Sequence, residues 1–359
     1  MSGRIRTRLT VTAVTLLALL LTACGPGSSS APDTSADDPV RLGDQSWESL
    51  WINNAIAGFI IEHGYGREVE IVATSTPVMQ QAIVQGDIDV VMEIYPQNIA
   101  AWWDEVREDG TVLDLGFIME ESRRGFYVPR YVIEGDPERG IEASAPGLRS
   151  FADLADYPHV FPDPEAPGKG QIVSCIIGWA CLDAAAVKAE LYGLSDTFNM
   201  LEPGSSAAMD TAIVSAYRAG EPVVFYYWEP TWLVGEYDLV QLEMDPWTEA
   251  CEAAMVDIIE RDAPATDGAR CAFPEPPVSI AASAGFGERD PELVAFLTEM
   301  YLGIDRVSEL TAWMNSNEAE ADEVALHYLD TYRDEWRSWL PSEVADNVDA
   351  ALDAAPAQG

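Results

Sequence analysis

The sequence predicts an α/β protein built around a parallel sheet, because two kinds of pattern alternate along it. Residues 51–62 carry apolar side chains at helical spacing, whereas residues 88–92 form a short run rich in Val and Ile. Short apolar runs are typical of strands that are buried on both faces of a parallel sheet. Helices that alternate with such strands indicate α/β units.

The elements follow one another in a regular order. Helix 51–62 ends at His63 and Gly64, a combination that stops helices. The further predicted elements are strand 69–73, helix 77–84 and strands 88–92, 222–227 and 278–283. From residue 291 to residue 354 the pattern is helical throughout, and we expect Trp313, Trp336 and Trp339 to pack in the core.

The amino terminus has the pattern of an export signal. Arg4, Arg6 and Arg8 precede an uncharged run at residues 9–23, which is shorter than the roughly 20 residues of a membrane-spanning helix. The run ends in small residues before Cys24, as in a bacterial lipobox, so residues 1–23 are predicted to be a lipoprotein signal peptide and Cys24 its lipidated residue. An ordinary cleavage site or a short anchor is the alternative. Residues 24–40 are rich in Gly, Ser, Pro and Asp and predict a disordered tether.

Composition restricts the partners. The chain of 359 residues carries a net charge of −41, which repels phosphate backbones and excludes nucleic acid as a partner. Its hydrophobic fraction of 48% is ample for a packed core. With Cys24 assigned to lipid, Cys175, Cys181, Cys251 and Cys271 remain, and an even number in an oxidising compartment predicts disulfides. Pairing in sequential order is one of three possible connectivities.

Catalytic and metal-binding motifs are missing from the sequence. Its three histidines, at positions 63, 159 and 327, are scattered, and neither a zinc-protease, a nucleophile-elbow nor a phosphate-loop motif occurs. We therefore predict no catalytic residue, no metal and no cofactor. The 61 carboxylates leave a hydrolase with an acid/base pair as an alternative.

Aromatic side chains cluster where predicted strands end, which is where open α/β sheets bind ligands. The clusters lie at residues 93–98 (EIYPQN), 175–181 (CIIGWAC) and 226–232 (YYWEPTW). A quaternary ammonium offers no conventional N–H donor, and its spread-out charge suits the faces of aromatic rings, above all those of Trp. A carboxylate on the same ligand would bind backbone amides at a helix start, where Ala180 and Cys181 are placed.

The chain resembles the glycine betaine/proline-betaine substrate-binding proteins of osmoprotectant ABC importers, from about Gln45 onward. Three stretches carry the resemblance: GDIDVVMEIYPQN at 86–98, CIIGWAC at 175–181 and EPVVFYYWEPTW at 221–232. The disulfide-closed Gly-Trp-x-Cys loop is the most specific of them. Where many relatives have Trp this chain has Ile94, and where some have His it has Asn98.

By that resemblance, Trp179 and Trp228 are two walls of an aromatic cage. Tyr95 or Trp47 is the third wall, and the amides of Ala180 and Cys181 take the ligand carboxylate. Asn98 belongs to the same site. Glu93 is either a carboxylate that favours choline or another cation, or a solvated turn residue.

The resemblance implies a type II periplasmic-binding-protein fold, with two α/β lobes, a hinge and a ligand cleft between them. Residues 41–127 and 278–359 would form lobe 1 and residues 128–277 lobe 2, with crossovers near 126–131 and 274–280. The implied partners are a quaternary amine, an ABC permease and a lipid anchor on the extracytoplasmic face of the cell membrane, and we expect a monomer. A cationic or zwitterionic amine receptor, a secreted hydrolase and a sensing or adhesive lipoprotein are the alternatives.

Overall fold

Two five-stranded sheets organise the protein. The structure is a computed structural model and describes residues 38–261 and 263–354. The first sheet contains β1 (Val40–Asp44), β2 (Val69–Ala73), β3 (Val90–Ile94), β4 (Val112–Met119) and β10 (Val278–Ser283). Its spatial order is β2-β1-β3-β10-β4, with β1 parallel to β2 and β3 and with β10 antiparallel to β3 and β4.

The second sheet has an equivalent arrangement. Its strands are β5 (Arg124–Pro129), β6 (Gly170–Val173), β7 (Phe198–Leu201), β8 (Phe225–Trp228) and β9 (Leu239–Gln241). They lie in the order β7-β6-β8-β5-β9, and β6 is parallel to β7 and β8. One strand in each sheet pairs antiparallel with a neighbour from the parallel set: β10 with β3 in the first sheet and β5 with β8 in the second. Each of these two strands is the first that the chain forms after leaving the other sheet.

Helices cover both sheets. Those before β10 are α1 (Glu48–Phe59), α2 (Thr76–Gln85), α3 (Ala100–Glu108), α4 (Arg130–Glu134), α5 (Cys181–Leu191), α6 (Ser206–Ala219), α7 (Trp232–Glu236) and α8 (Glu249–Arg261). Those after it are α9 (Ala284–Arg289), α10 (Pro291–Glu299), α11 (Gly303–Asn317), α12 (Ala321–Thr331), α13 (Arg333–Arg337) and α14 (Ser342–Ala354). The last group packs on the first sheet and on α1. No helix in the described ranges is long and apolar enough to cross a bilayer.

Most predicted elements are present, some with shifted bounds. Strands 69–73 and 278–283 are found as predicted, and the helix predicted at 51–62 is α1, which continues as a π-helical turn at Ile60–Gly64. The strand predicted at 222–227 begins only at Phe225. Trp336 and Trp339 are buried as predicted, whereas Trp313 is half-buried and stacks on His327.

The chain passes between the sheets twice. It leaves β4 at Met119 and enters β5 at Arg124, so the first crossing is the polar stretch 120–123. The predicted crossing at 126–131 and the lobe boundary at 127 fall inside or just after β5, which pairs entirely within the second sheet. The crossing and the lobe boundary therefore lie at 120–123 and not at 126–131, because the residues from Arg124 to Pro129 form a buried strand of the second sheet. The return crossing leads into β10 at Val278, within the predicted 274–280. The predicted signal peptide, Cys24 and most of the tether lie outside the described residues.

Two disulfides join the cysteines in sequential order. Cys175 bonds to Cys181, and Cys251 bonds to Cys271. The first closes the loop before α5, and the second ties α8 to the segment that leads to the return crossing. Sequential pairing, one of the three connectivities open to the sequence, is therefore confirmed.

The second disulfide is expected to contribute more stability than the first. It closes a loop of 20 residues rather than 6, and the longer loop restricts the unfolded chain more strongly. Replacing Cys251 and Cys271 by Ser is expected to lower the free energy of unfolding by about 3 kcal/mol, against about 2 kcal/mol for Cys175 and Cys181. Urea unfolding without ligand measures both values, and the wild-type protein under reducing conditions is the control. An unchanged unfolding midpoint in the Cys251 and Cys271 variant would contradict this result.

Candidate functional site

A cavity of about 60 Å³ lies between the two sheets. It has room for four to six water molecules at roughly 10–15 Å³ each, which suits a compact organic solute. All eight residues predicted to bind the ligand line it: Trp47, Glu93, Tyr95, Asn98, Trp179, Ala180, Cys181 and Trp228. The first four belong to segments of the first sheet and the other four to segments of the second.

The aromatic side chains of the cavity form a continuous series of rings. Tyr95 meets Trp47 edge-on with ring centroids 5.8 Å apart, and Trp47 meets Trp179 at 5.5 Å. Trp179 in turn meets Trp228 at 5.1 Å, with an angle of 84° between the ring planes. Rings that stand almost perpendicular to one another form the walls of a box. Both candidates for the third wall, Tyr95 and Trp47, belong to this series.

Local structure places each ring at the cavity. Trp47 is the extended residue directly before α1, Tyr95 follows the last residue of β3, and Trp228 is the last residue of β8. The carboxyl ends of β3 and β8 therefore present their aromatic residues to the space between the sheets. Trp179 lies in the loop that the Cys175–Cys181 disulfide closes.

Glu93 lies behind two of the rings and is fully buried. One carboxylate oxygen accepts hydrogen bonds from Trp47 Nε1 at 2.6 Å, Ser49 Oγ at 3.1 Å and the Tyr95 hydroxyl at 3.1 Å. Asn53 Nδ2 donates to the other oxygen at 2.6 Å. The solvated-turn interpretation of Glu93 is therefore wrong, because the side chain is a buried acceptor that fixes the orientation of two rings.

Burial raises the pKa of Glu93 from 4.5 to about 7, against the opposing effect of the four hydrogen bonds that favour the carboxylate. A carboxylate at this position is thus poised to change its charge near neutral pH. A cation bound in the box would favour the ionised form of Glu93.

The two lobes bond to each other directly at the cavity. Trp179 Nε1 donates to the backbone oxygen of Gln45 at 2.8 Å, and the Thr76 amide donates to the backbone oxygen of Gly178 at 3.0 Å. The ring of Trp179 therefore serves as a wall of the box while its nitrogen fastens the second lobe to the first.

Helix α5 begins at the cavity. Its first residue is Cys181, and Ala180 is the residue before it. The first amides of a helix have no intrahelical acceptor, and the helix dipole makes this end positive. The start of α5 can therefore bind an anionic group in the cavity.

Arg124 is the main cavity residue that sequence reasoning missed. Its side chain is only 3% exposed, although it opens a strand next to an exposed arginine. Nη1 donates to Asn98 Oδ1 at 2.7 Å, and Nε donates to the backbone oxygen of Pro274 at 3.3 Å. A charged residue that opens an otherwise apolar strand, RGFYVP, was the available signal. Gln45, Thr76 and Ser122 also line the cavity and were not predicted. Tyr226 lines it too and is the first residue of the predicted aromatic cluster at 226–232.

Comparison with known proteins gives a family match over most of the chain. The model of the OpuAC family, described as the substrate binding domain of ABC-type glycine betaine transport system, matches residues 38–331. The glycine betaine/proline betaine-binding periplasmic protein of Escherichia coli (strain K12) is 24% identical over 190 residues, 51% of this chain and 56% of that protein. The chain thus spans a little over half the length of the curated relatives it matches.

Solved structures share the fold. A glycine betaine/L-proline-binding protein from Borrelia burgdorferi is 18% identical, with a TM-score of 0.68 over 87% of this chain and 100% of that one. A choline-binding protein of an ABC transporter, in complex with choline, is 20% identical, with a TM-score of 0.66 over 88% of this chain and 98% of that one. The predicted two-lobed, type II periplasmic-binding-protein fold is therefore confirmed.

Proposed function

The chain belongs to the OpuAC family, the substrate-binding domains of ABC-type glycine betaine transport systems, and from this premise we propose that it captures a quaternary amine such as glycine betaine in the ring box. The lobes close over the ligand by a hinge motion, and the closed form delivers it to a membrane permease. This is a family of solute-binding proteins and not of enzymes.

The ring series is the observation that supports this ligand class. Tyr95, Trp47, Trp179 and Trp228 surround one small cavity, with neighbouring centroids 5.1–5.8 Å apart. Each ring face contributes about 0.5–2 kcal/mol to the binding of a cation, and more when water is excluded. Several faces together, with burial of the methyl groups, approach the roughly 8 kcal/mol that corresponds to micromolar affinity.

The proposal also includes the cellular location of the protein and its membrane partner. Cys24 would carry the lipid that holds the mature chain, as a monomer, on the extracytoplasmic face of the cell membrane. The permease would be its membrane partner, and the curated relative from Escherichia coli is likewise named as periplasmic.

Calorimetry with matched ligands tests the proposal. We expect glycine betaine to bind, and we expect two analogues to bind at least about tenfold more weakly, since each removes part of the cation–ring interaction. The first analogue is glycine, which lacks the methyl groups. The second is 3,3-dimethylbutanoate, in which carbon replaces the charged nitrogen and the shape is kept. Equal binding of the carbon analogue, or no binding of any methylated amine, would contradict the proposal.

A further inference from the structure

The segment at residues 228–236 connects the ring box to a short helix. It begins with Trp228, a wall of the box, and ends with α7. Thr231, directly before α7, is buried, and its hydroxyl donates to the backbone oxygen of Trp228 at 3.2 Å. The position of α7 is therefore fixed relative to that wall.

The same segment is bonded to the first crossing between the sheets. The Glu229 amide donates to the backbone oxygen of Arg123 at 2.7 Å. The Ser122 hydroxyl donates to the backbone oxygen of Glu229 at 3.0 Å, and Ser122 is fully buried. Residues 228–236 are thus anchored to the connection about which the lobes rotate in the proposed hinge motion.

Helix α7 also reaches the first lobe, although it follows a strand of the second sheet. It packs on α11, which follows β10 of the first sheet. Trp232 Nε1 donates to Glu48 Oε1 at 2.9 Å, and Asn315 Nδ2 donates to Glu236 Oε2 at 2.8 Å. Glu48 directly follows Trp47. The bond between Trp232 and Glu48 therefore joins two segments that each carry a wall of the box, one from each lobe.

Of these two bonds, the one between Trp232 and Glu48 is the better suited to hold the lobes together. Its side chains are half-buried, whereas the bond between Asn315 and Glu236 is exposed. An indole bond to a carboxylate is charge-assisted, and the start of α1 favours the negative charge of Glu48. Burial and, through space, Asp210 on α6 of the second lobe raise the pKa of Glu48 to about 7. The indole donor offsets part of both effects when the lobes meet.

We propose that the hydrogen bond between Trp232 and Glu48 holds the lobes in the closed form and sets how long the ligand stays bound. This inference rests on the proposed function and adds a control of ligand release. In the open form the two partners are apart, so a ligand enters the box without them. A ligand that positions Trp228 also positions Trp232 through residues 229–231, and the bond must break before the ligand leaves. Trp232 and Glu48 are positioning residues, since neither is among the residues of the cavity.

Trp232→Phe is the variant that tests the bond, because it removes the donor and keeps a ring beside Tyr237. We expect it to release glycine betaine roughly 10- to 100-fold faster than the wild type, since closure then leaves a desolvated carboxylate without its donor. The association rate should stay within about threefold, because ligand entry precedes closure. Stopped-flow tryptophan fluorescence measures both rates, at pH 8 so that Glu48 is ionised.

Trp247→Phe is the matched control for the loss of an indole donor. Trp247 Nε1 donates to Glu252 Oε2 at 3.2 Å, a bond of the same kind that stays within the second lobe. Both rates should therefore keep their wild-type values in this variant. Release from a folded Trp232→Phe at the wild-type rate would overturn the inference, and so would equal acceleration in Trp247→Phe.

A second substitution separates the bond from a loss of packing. Glu48→Gln in the Trp232→Phe background removes the unpaired charge and its repulsion from Asp210, so release should slow by at least about threefold relative to Trp232→Phe alone. Loss of packing gives no such recovery, so a double variant that releases as fast as the single one would show that Glu48 is not the partner.

The same measurements distinguish failure of this inference from failure of the proposed function. If the wild-type protein binds glycine betaine and Trp232→Phe releases it at the wild-type rate, only the role of the bond is wrong. If the wild-type protein binds no methylated amine, the proposed function fails, and the inference fails with it.

Discussion

Trp228→Ala is expected to weaken binding of the best quaternary amine by roughly 30-fold or more, about 2 kcal/mol, because it removes a complete desolvated wall of the box. The ring is only 9% exposed, and its centroid lies 5.1 Å from that of Trp179 and 4.7 Å from that of Tyr227, on which it stacks. The loss for Trp179→Ala is expected to be larger, because that indole also donates across the lobes to Gln45. The double variant should show no binding in calorimetry.

Two controls separate loss of the wall from loss of the fold. Trp228→Phe keeps an aromatic face and should recover part of the affinity. Trp247→Ala removes a tryptophan that is 42% exposed and is not among the residues of the cavity, so affinity should stay at the wild-type value. Circular dichroism and thermal melting verify that each variant is folded. Wild-type affinity in a folded Trp179→Ala, Trp228→Ala double variant would refute the assignment of the site.

Glu93→Gln is expected to lower affinity by about tenfold at pH 8 and to remove the pH dependence of binding, because it deletes the carboxylate that faces the box from behind. The pKa of Glu93 in the free protein is about 7, and a bound cation lowers it by favouring the ionised form. Binding near neutral pH therefore releases a proton. In the wild-type protein affinity should rise with pH and level off above about pH 7, and should be roughly tenfold weaker near pH 5.5.

The stability of the ligand-free protein should change in the opposite direction. The folded-state pKa of Glu93 lies above the ordinary value of 4.5, so its contribution to stability is complete below that value and is lost as pH rises through about 7. Burial also raises the pKa of Glu48 to about 7 and that of Asp210 to about 6, so the wild-type trend includes their effects. The difference in the free energy of unfolding between wild type and Glu93→Gln, measured as a function of pH, isolates the contribution of Glu93. For ligand binding, calorimetry in two buffers of different ionisation enthalpy counts the protons released. If the affinity of Glu93→Gln depended on pH in the same way as that of the wild type, the role of Glu93 would be contradicted.

The parts of the site that depend on local pattern could be read from the sequence. Trp179, Trp228 and Tyr95 follow strands or lie in a short loop between cysteines, and such positions point to a ligand wherever a sheet is open at its strand ends. The position of strand β10 could also be read locally, from the compact apolar run at 278–283. These inferences needed only neighbours within a few residues.

The features that depend on distant partners could not be read in this way. The buried carboxylate of Glu93 accepts hydrogen bonds from Ser49 and Asn53 on α1, which lie 44 and 40 positions before it. Arg124 is buried between Asn98, 26 positions before it, and Pro274, 150 positions after it. The first crossing was misplaced because a polar turn and the start of a strand have no distinct spacing when the partner strand is unknown.

Burial of the charged groups around the cavity has a consequence for the ionic strength at which the protein works. In molar salt the Debye length is only about 3 Å, so the many acidic groups on the outside no longer act on solutes at a distance. Glu93 and Arg124 lie out of reach of mobile ions, at 0% and 3% exposure. If the cleft binds a charged solute as proposed, the contribution of these two buried groups to its affinity would change little between dilute buffer and molar salt.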